Sequence, residues 1–441
     1  MIKIVIIHDD FSVTGGGEKL LGLLARELNN KGFKTDIITF DISEETKKII
    51  PRNINIITLK NKDYKKNDKG RELFAKLNLK NQYDLYIFSG HNCIYTAKNH
   101  KPNLLYNHNI PESELKKTKQ NEKERKMHQT NLKLESISKS SSEKIWKRLY
   151  KLKNKIILKK IPKKISFKLD TLRYLLLYIF NTENIKNKIE TTNHKENIKQ
   201  IQKIIVNSKN IQNKIKNIYN KKSAVIYPPI ETSKYKNIKH KNYWLSINRI
   251  TPLKRIELQL KTFSKLPKEK LFIIGNIENK NYHNFLIKQK PNNVTFLGTI
   301  SEKELIKKLS ECKGFLFTAK DEDFGMSPVE AMASGKPVIA PNEGGCKETI
   351  TKKTGILIDN INSEKIIRAI NKLNQTLKNN PKQFIKPCQE QARKFNMDKF
   401  TKNMINEINK TLKIKSQSFY PKRRFKPPNK PLIPFKFTFQ K

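Results

Sequence analysis

Short apolar runs rich in β-branched residues punctuate the chain at 3–7, 36–39, 85–89, 103–106, 203–207 and 224–227. A second series follows at 244–247, 271–275, 294–298, 314–318, 337–340 and 355–358. Several, such as IVII and LYIF, are apolar at consecutive positions. A strand of that kind is buried on both faces, as in a parallel sheet. Between the runs, apolar residues recur three and four apart, the period of a helix with one buried side. The clearest case is 18–31, where Leu20, Leu21, Leu23, Leu24 and Leu28 make a broad apolar side and Gly32 supplies a stop. Strands alternating with helices predict right-handed crossovers and parallel sheets covered on both faces. Two such series predict two doubly wound α/β domains, a division that 441 residues at about 150 per domain also favours.

The alternation fails between 113 and 200. That region is rich in Lys, Asn and Ser, and no glycine occurs from 91 to 274. A basic, helical or partly disordered insertion in the first domain is expected. Within it the run LRYLLLYIF at 172–180 follows Lys159, Lys160, Lys163, Lys164 and Lys168. Such a segment either packs on the domain as a helix or lies in a membrane interface with its lysines at the headgroups. From Lys413 to Lys441 the chain has nine Lys or Arg, no acid and six Phe or Tyr, a composition expected of an unfolded tail. The expected limits are therefore 1–222 and 223–395 for the two domains, 396–414 for a C-terminal helix and 415–441 for the tail.

Lys and Arg number 91 against 40 Asp and Glu, a formal net charge of +51. Such an excess points to nucleic acid or an anionic membrane. It is spread along the whole chain, however, and no nucleic-acid recognition module accompanies it. Cys93, Cys312, Cys346 and Cys388 stand far apart, with neither a paired framework nor a metal-ligand spacing, so free thiols in a reducing compartment are expected. The start, MIKIVIIHDD, reaches an acidic pair too soon for a signal peptide, and no window holds the roughly 18 uninterrupted apolar residues of a membrane span. The reading is a cytoplasmic protein, at most peripheral to a membrane.

The stretch DEDFGMSPVEAMASGKPVIA at 321–340 sets Glu322 and Glu330 eight residues apart, across a turn and a helix start. Ser327 fits an N-cap, Pro328 the first helical position and Glu330 the capping-box acid. A carboxylate there can also accept from ribose hydroxyls, while the amides of Phe324, Gly325, Met326 and Ser327 receive sugar hydroxyls or a phosphate. Near the start, HDDFSVTGGGEK at 8–19 joins the first strand to the first helix. Gly15, Gly16 and Gly17 permit close approach of backbone to a ligand, and the segment does not follow the GxGxxG dinucleotide pattern. His91 and His108 follow apolar strands, at the carboxyl edge where α/β ligands bind.

Taken with EAMASGKPVIA and the later Gly344-Gly345, the Glu-x7-Glu arrangement resembles the nucleotide-sugar site of retaining GT-B glycosyltransferases of family four, the glycosyl transferases group 1. SINRITPLKR at 246–255 is similar to the family's G-R-x-x-P-x-K segment, with Asn248 where the family has glycine. FSGHNCIYTAK at 88–98 and LLYNHNIPES at 104–113 resemble paired segments of mannosyltransferase-like members, which makes His108 the match for the active-site histidine. VNSKNIQNKI at 206–215 and VIYPPIE at 225–231 resemble segments near the family's interdomain linker. The resemblance implies two Rossmann-like domains facing a cleft, the donor held mainly by the C-terminal one and the acceptor by the N-terminal one.

It further implies Arg249 and Lys254 on the donor diphosphate, Glu322 on the sugar hydroxyls, Glu330 on the ribose and His108 on the sugar. Gly16, Gly17 and residues 324–327 complete the donor surroundings. No metal or other cofactor is implied, because cationic side chains offset the diphosphate charge. The implied donor is a nucleotide sugar, GDP-mannose favoured, and the implied acceptor a glycan or polyprenyl-linked sugar at an anionic cytoplasmic membrane face. Competing readings are a basic nucleic-acid-binding protein on a noncatalytic GT-B scaffold and a GT-B epimerase or phosphorylase.

Overall fold

The computed structural model describes residues 1–13, 15–59, 64–65, 69–111, 114–115, 194–238 and 240–412. Most of the expected insertion, the LRYLLLYIF run with its lysines and the 415–441 tail lie outside the described residues.

The first sheet has seven strands, β1 (Lys3–His8), β2 (Lys34–Thr39), β3 (Asn55–Thr58), β4 (Leu85–Ser89), β5 (Asn103–Asn107), β6 (Lys203–Val206) and β7 (Ala224–Val225). They pair in the order β3-β2-β1-β4-β5-β6-β7, all parallel. The second has six, β8 (Trp244–Ile247), β9 (Leu271–Ile274), β10 (Val294–Gly298), β11 (Gly314–Leu316), β12 (Val338–Pro341) and β13 (Gly355–Ile358). Their order is β10-β9-β8-β11-β12-β13, again all parallel. Helices of the first half are α1 (Gly16–Asn30), α2 (Glu44–Ile49), α3 (Lys69–Lys76) and α4 (Lys209–Tyr219). Those that follow are α5 (Ile256–Ser264), α6 (Lys280–Gln289), α7 (Glu302–Glu311), α8 (Met326–Ala333), α9 (Cys346–Thr349), α10 (Ser363–Asn379), α11 (Ile385–Arg393) and α12 (Met397–Thr411).

The continuous apolar runs are central strands covered on both faces. Ile4 and Ile6 of β1 pack into one cluster with α1 and α12, while Val5 and Ile7 pack into another with Phe88, Ile94 and Ile211. Strand β3 carries no such run and escapes the sequence pattern, being a short edge strand that alternates exposed and half-buried positions. In each sheet the strand order reverses once, between β1 and β4 in the first and between β8 and β11 in the second. A crevice opens at the carboxyl ends of the strands flanking such a reversal, so the topology alone nominates the ends of these four strands.

Strand β7 pairs with β6, carrying the first sheet to residue 225, past the expected limit of 222. The chain then leaves for the second sheet and returns alongside itself, Ile230 N donating to Phe395 O at 2.8 Å. Helix α12 finally crosses back and buries Phe400, Met404 and Ile408 against Tyr106, Ile205 and Ile226 of the first domain. The buried core of the second domain uses residues from Ile230 to Phe395, with Tyr227 packed against it. Among the described residues no helix is long and apolar enough to cross a membrane.

Candidate active site

Glu322 follows β11 in the loop that leads to α8. Its carboxylate lies 2.5 Å from Lys254 Nζ. Lys254 ends a single helical turn, Pro252–Lys254, fastened to the end of β11 by Thr318 Oγ1 donating to Lys254 O at 2.7 Å and Lys320 N donating to Leu253 O at 2.8 Å. The Glu322 backbone is pinned from behind, where Gly345 N donates to Glu322 O at 2.7 Å. A Cβ on Gly344 would stand 2.3 Å from that same oxygen. The paired glycines are thus the condition for the carboxylate loop to lie where it does.

Gly325, at φ +86°, caps α8, which begins at Met326. This corrects the expected cap. Glycine accepts the positive φ that turns the loop into the helix, so the helix starts before Ser327, and Pro328 falls third within it. Ser327 Oγ lies 3.4 Å from Ile247 O, and Glu330 does not reach back to close a capping box. Instead burial pushes the Glu330 carboxyl pKa up, and the Lys19 charge and the nearby Tyr235 hydroxyl oppose that rise. Met326 and Glu330 line a small pocket between the domains together with Lys19, Leu23, Ile230 and Tyr235.

Arg249 is not brought to the Lys254–Glu322 pair: its side chain is 64% exposed and meets Glu278 at 3.1 Å. Asn248, in the family's glycine position, takes no left-handed backbone and donates from Nδ2 to Ser246 Oγ at 2.6 Å. The neighbouring Arg255 is a brace, donating to Thr318 O and Ala319 O and pairing with Glu343.

On the opposite wall the ends of β1, β4 and β5 place His8, Ser89 and His108 together. His8 Nδ1 donates to Ser89 O, and its Nε2 lies 3.5 Å from Glu18, whose other oxygen accepts from Gly15 N at 2.9 Å. Burial alone would lower the His8 pKa, but Glu18 and Asp9 outweigh it and hold the ring above the ordinary value of 6.5. Burial likewise opposes ionisation of Glu18, and His8 overcomes it. His108 is the reverse case, pushed down to about 3 by burial and by the His8 charge, and therefore neutral near pH 7. Its Nε2 stands 2.6 Å from Ser89 Oγ, which donates to Tyr106 O at 3.1 Å. With the serine proton so directed, Nε2 carries the ring proton and Nδ1 is left as an acceptor.

The glycines join the two walls. A Cβ on Gly17 would lie 3.4 Å from His108 Nε2, and one on Gly16 would lie 3.2 Å from Met326 Sδ. Gly16 and Met326 are the first residues of α1 and α8, so two helix N-termini meet at the cleft beside the Lys254–Glu322 pair's loop. Their free amides and partial positive charges suit an anion. Sequence reasoning missed His8, Asp9, Glu18 and Ser89. The available signal was HDD at the end of the first strand, immediately before the glycine-rich turn. Asp9 fixes the other side of that turn, accepting from the amides of His91, Asn92 and Cys93 at 2.7 to 2.9 Å.

Residues 229–394 match the model of the family described as "Glycosyl transferases group 1". The "Alpha-1,3/1,6-mannosyltransferase ALG2" of Dictyostelium discoideum is 32% identical over 209 residues, covering 41% of this chain and 49% of that protein. The mouse "GDP-Man:Man(3)GlcNAc(2)-PP-Dol alpha-1,2-mannosyltransferase" is 32% identical over 148 residues, covering 28% of this chain and 30% of that protein. The chain thus spans about half, or less, of the length of these curated relatives. Among solved structures, HepE of Anabaena in complex with UDP and glucose superposes with TM-score 0.63 at 14% identity, covering 93% of this chain and 100% of that one. Sucrose-phosphate synthase of Thermosynechococcus elongatus superposes with TM-score 0.66 at 15% identity, covering 94% and 100%. Residues 229–394 are therefore similar in sequence to the glycosyl transferases group 1 family, and the two facing sheets with the returning helix build the GT-B fold.

Proposed function

We propose that the chain is a glycosyltransferase that moves a hexose, mannose favoured, from a nucleoside-diphosphate sugar to a hydroxyl of a glycan or polyprenyl-linked acceptor, with retention at the anomeric carbon. The observation that carries the reading is the meeting of two helix N-termini, Lys254 and Glu322 at one cleft between the strand-order reversals of both sheets. The relatives support mannose: one is named for mannosyl transfer and another for GDP-Man as donor and a PP-Dol-linked acceptor. HepE's complex with UDP and glucose supports a nucleotide sugar in such a cleft.

In this reading Lys254 leaves Glu322 for the diphosphate, and Arg249 swings from Glu278 to join it. Glu322 then accepts from sugar hydroxyls and Glu330 from the ribose. Charge growing on the leaving diphosphate is met by Lys254, Arg249 and the two helix ends, which is electrostatic stabilisation by the protein's own positive groups and assigns no role to a metal. Neutral His108 presents Nδ1 to the sugar without repelling positive charge that develops at the anomeric carbon. The leaving phosphate takes the acceptor proton on the same face, so orientation within the closed cleft supplies much of the rate.

The acceptor side of the proposal rests on the sequence. The LRYLLLYIF run, its lysines and the basic tail suit an anionic cytoplasmic leaflet, which would hold the protein as a peripheral enzyme. The fold and relatives are those of sugar transfer, and the nucleic-acid alternative is not favoured. A panel of GDP- and UDP-sugars, offered with a polyprenyl-pyrophosphate oligosaccharide in excess chelator, tests the proposal. Transfer of an α-linked mannose from GDP-mannose is expected. Turnover restored only by added magnesium or manganese overturns the electrostatic account, and an inverted product overturns retention.

A further inference from the structure

Helix α4 packs on the first domain through Ile211 and Ile215, yet its polar contacts reach into the second. Glu348 of α9 accepts from the amides of Lys209 and Asn210 at 2.8 and 2.9 Å, so a carboxylate of the second domain sits at the positive end of α4. Asn210 and Lys214, four residues apart, share one face of the helix. Asn210 Nδ2 donates to Asp321 Oδ1 at 3.2 Å. Lys214 Nζ lies 3.0 Å from Asp321 Oδ2 and 3.5 Å from Asp323 Oδ1, with its side chain only 17% exposed.

Three consecutive carboxylates therefore divide between two lysines from two domains. The outer pair, Asp321 and Asp323, goes to Lys214 of the first domain, and the middle one, Glu322, to Lys254 of the second. Such a row repels itself unless cations separate it. Burial raises the Asp323 pKa, Lys214 works against that rise, and Glu322 adds to it. Asp321 also holds φ at +45°, a left-handed conformation that a non-glycine residue keeps only where its surroundings fix it. Its fixed partners are Asn210 and Lys214, both on α4.

We propose that Lys214 is a positioning residue: by drawing Asp321 and Asp323 toward the first domain it aims Glu322 into the cleft, so the donor site is complete only when α4 is docked. The inference rests on the proposed sugar transfer, with Glu322 on the hexose. It makes the domain that faces the acceptor a gate on the geometry of the donor.

The test compares Lys214→Met, Lys214→Arg and Asp323→Asn in the full chain. Lys214→Met should lower kcat for hexose transfer by about tenfold or more, because one misdirected contact used in the transition state costs on that order. Affinity for GDP, which carries no hexose for Glu322 to hold, should stay within about threefold by calorimetry. Lys214→Arg keeps the cation and should restore turnover. Lys214→Met combined with Asp323→Asn should lose little more than either alone, as expected of two groups acting through one contact. Wild-type kcat in Lys214→Met, equal damage by Met and Arg, or fully additive losses each overturn the inference. A wild type that transfers no hexose overturns the proposed function and this inference together, whereas an active wild type beside an unaffected Lys214→Met overturns this inference alone.

Discussion

Lys254 and Glu322 hold each other with side chains 12% and 26% exposed, at a cleft wall and not in a core. Removing either should leave the fold standing and remove a group that the transition state uses. Lys254→Ala and Glu322→Ala are each expected to lower kcat/KM by about 100-fold or more, with melting temperature little changed. Wild-type turnover at saturating donor in either variant would displace the site. On the other wall the His8–Glu18 pair makes a prediction about pH. His8 is raised above 6.5, so its contribution to stability is full below 6.5 and fades as pH rises through its folded value. Glu18 is lowered from 4.5, so its contribution is present above 4.5 and fades as pH falls through its folded value. The stability deficit of Glu18→Gln should therefore peak between those limits and shrink at higher pH, and NMR should find His8 titrating below 6.5 in the variant. Lys254, Glu322 and Glu330 were legible because their spacing is linear in sequence. His108 was legible too, but its link through Ser89 to His8 and Glu18 was not, because three strands and a helix far apart along the chain bring those groups together.

At the level of elements, the loops that carry the site depend on glycines whose missing side chains leave room for another backbone. Gly344 has φ +59°, and a Cβ there would meet Glu322 O at 2.3 Å and Glu322 N at 2.7 Å. Gly298 has a similar φ of +65° with nothing within 4 Å. The two separate conformational strain from displacement of the carboxylate. Gly298→Ala should cost only the left-handed backbone, about 1–2 kcal/mol in a melt, and leave transfer unchanged. Gly344→Ala adds a collision that pushes the Glu322 loop out of place, and should lose activity well beyond what its stability loss explains. Equal activity in the two variants would remove the diglycine from the site. The strands were readable where both faces are buried, as in β1 and β4. The start of α8 was misread because Ser327 and Pro328 make a good cap by composition, and only the geometry reveals that Gly325 turns the chain first.

Between the domains the contacts on the α1 side are ion pairs. Lys19 meets Glu302 at 3.3 Å and Arg26 meets Glu231 at 3.2 Å across the interface, while Lys234 braces those two carboxylates from within the second domain at 3.4 and 2.6 Å. Exposed pairs of this kind contribute about 0–1 kcal/mol each and weaken with salt. The apolar cores, by contrast, do not mix: one uses residues from Ile230 to Phe395, and the two flanking the first sheet use residues up to Ile226 together with Phe400, Met404 and Ile408. Weak polar coupling between separate cores predicts two unfolding transitions in calorimetry at moderate salt. Phe400 is 2% exposed and packs near Tyr106, so although it lies beyond the second domain in sequence it should stabilise the first. Phe400→Ala should lower one transition by about 3–5 kcal/mol, as expected when a buried aromatic side chain is removed. GDP should raise the other, by about 2.7 kcal/mol at a hundred times its dissociation constant. If Phe400→Ala and GDP move the same transition, α12 does not belong with the first domain or the donor is not held by the second.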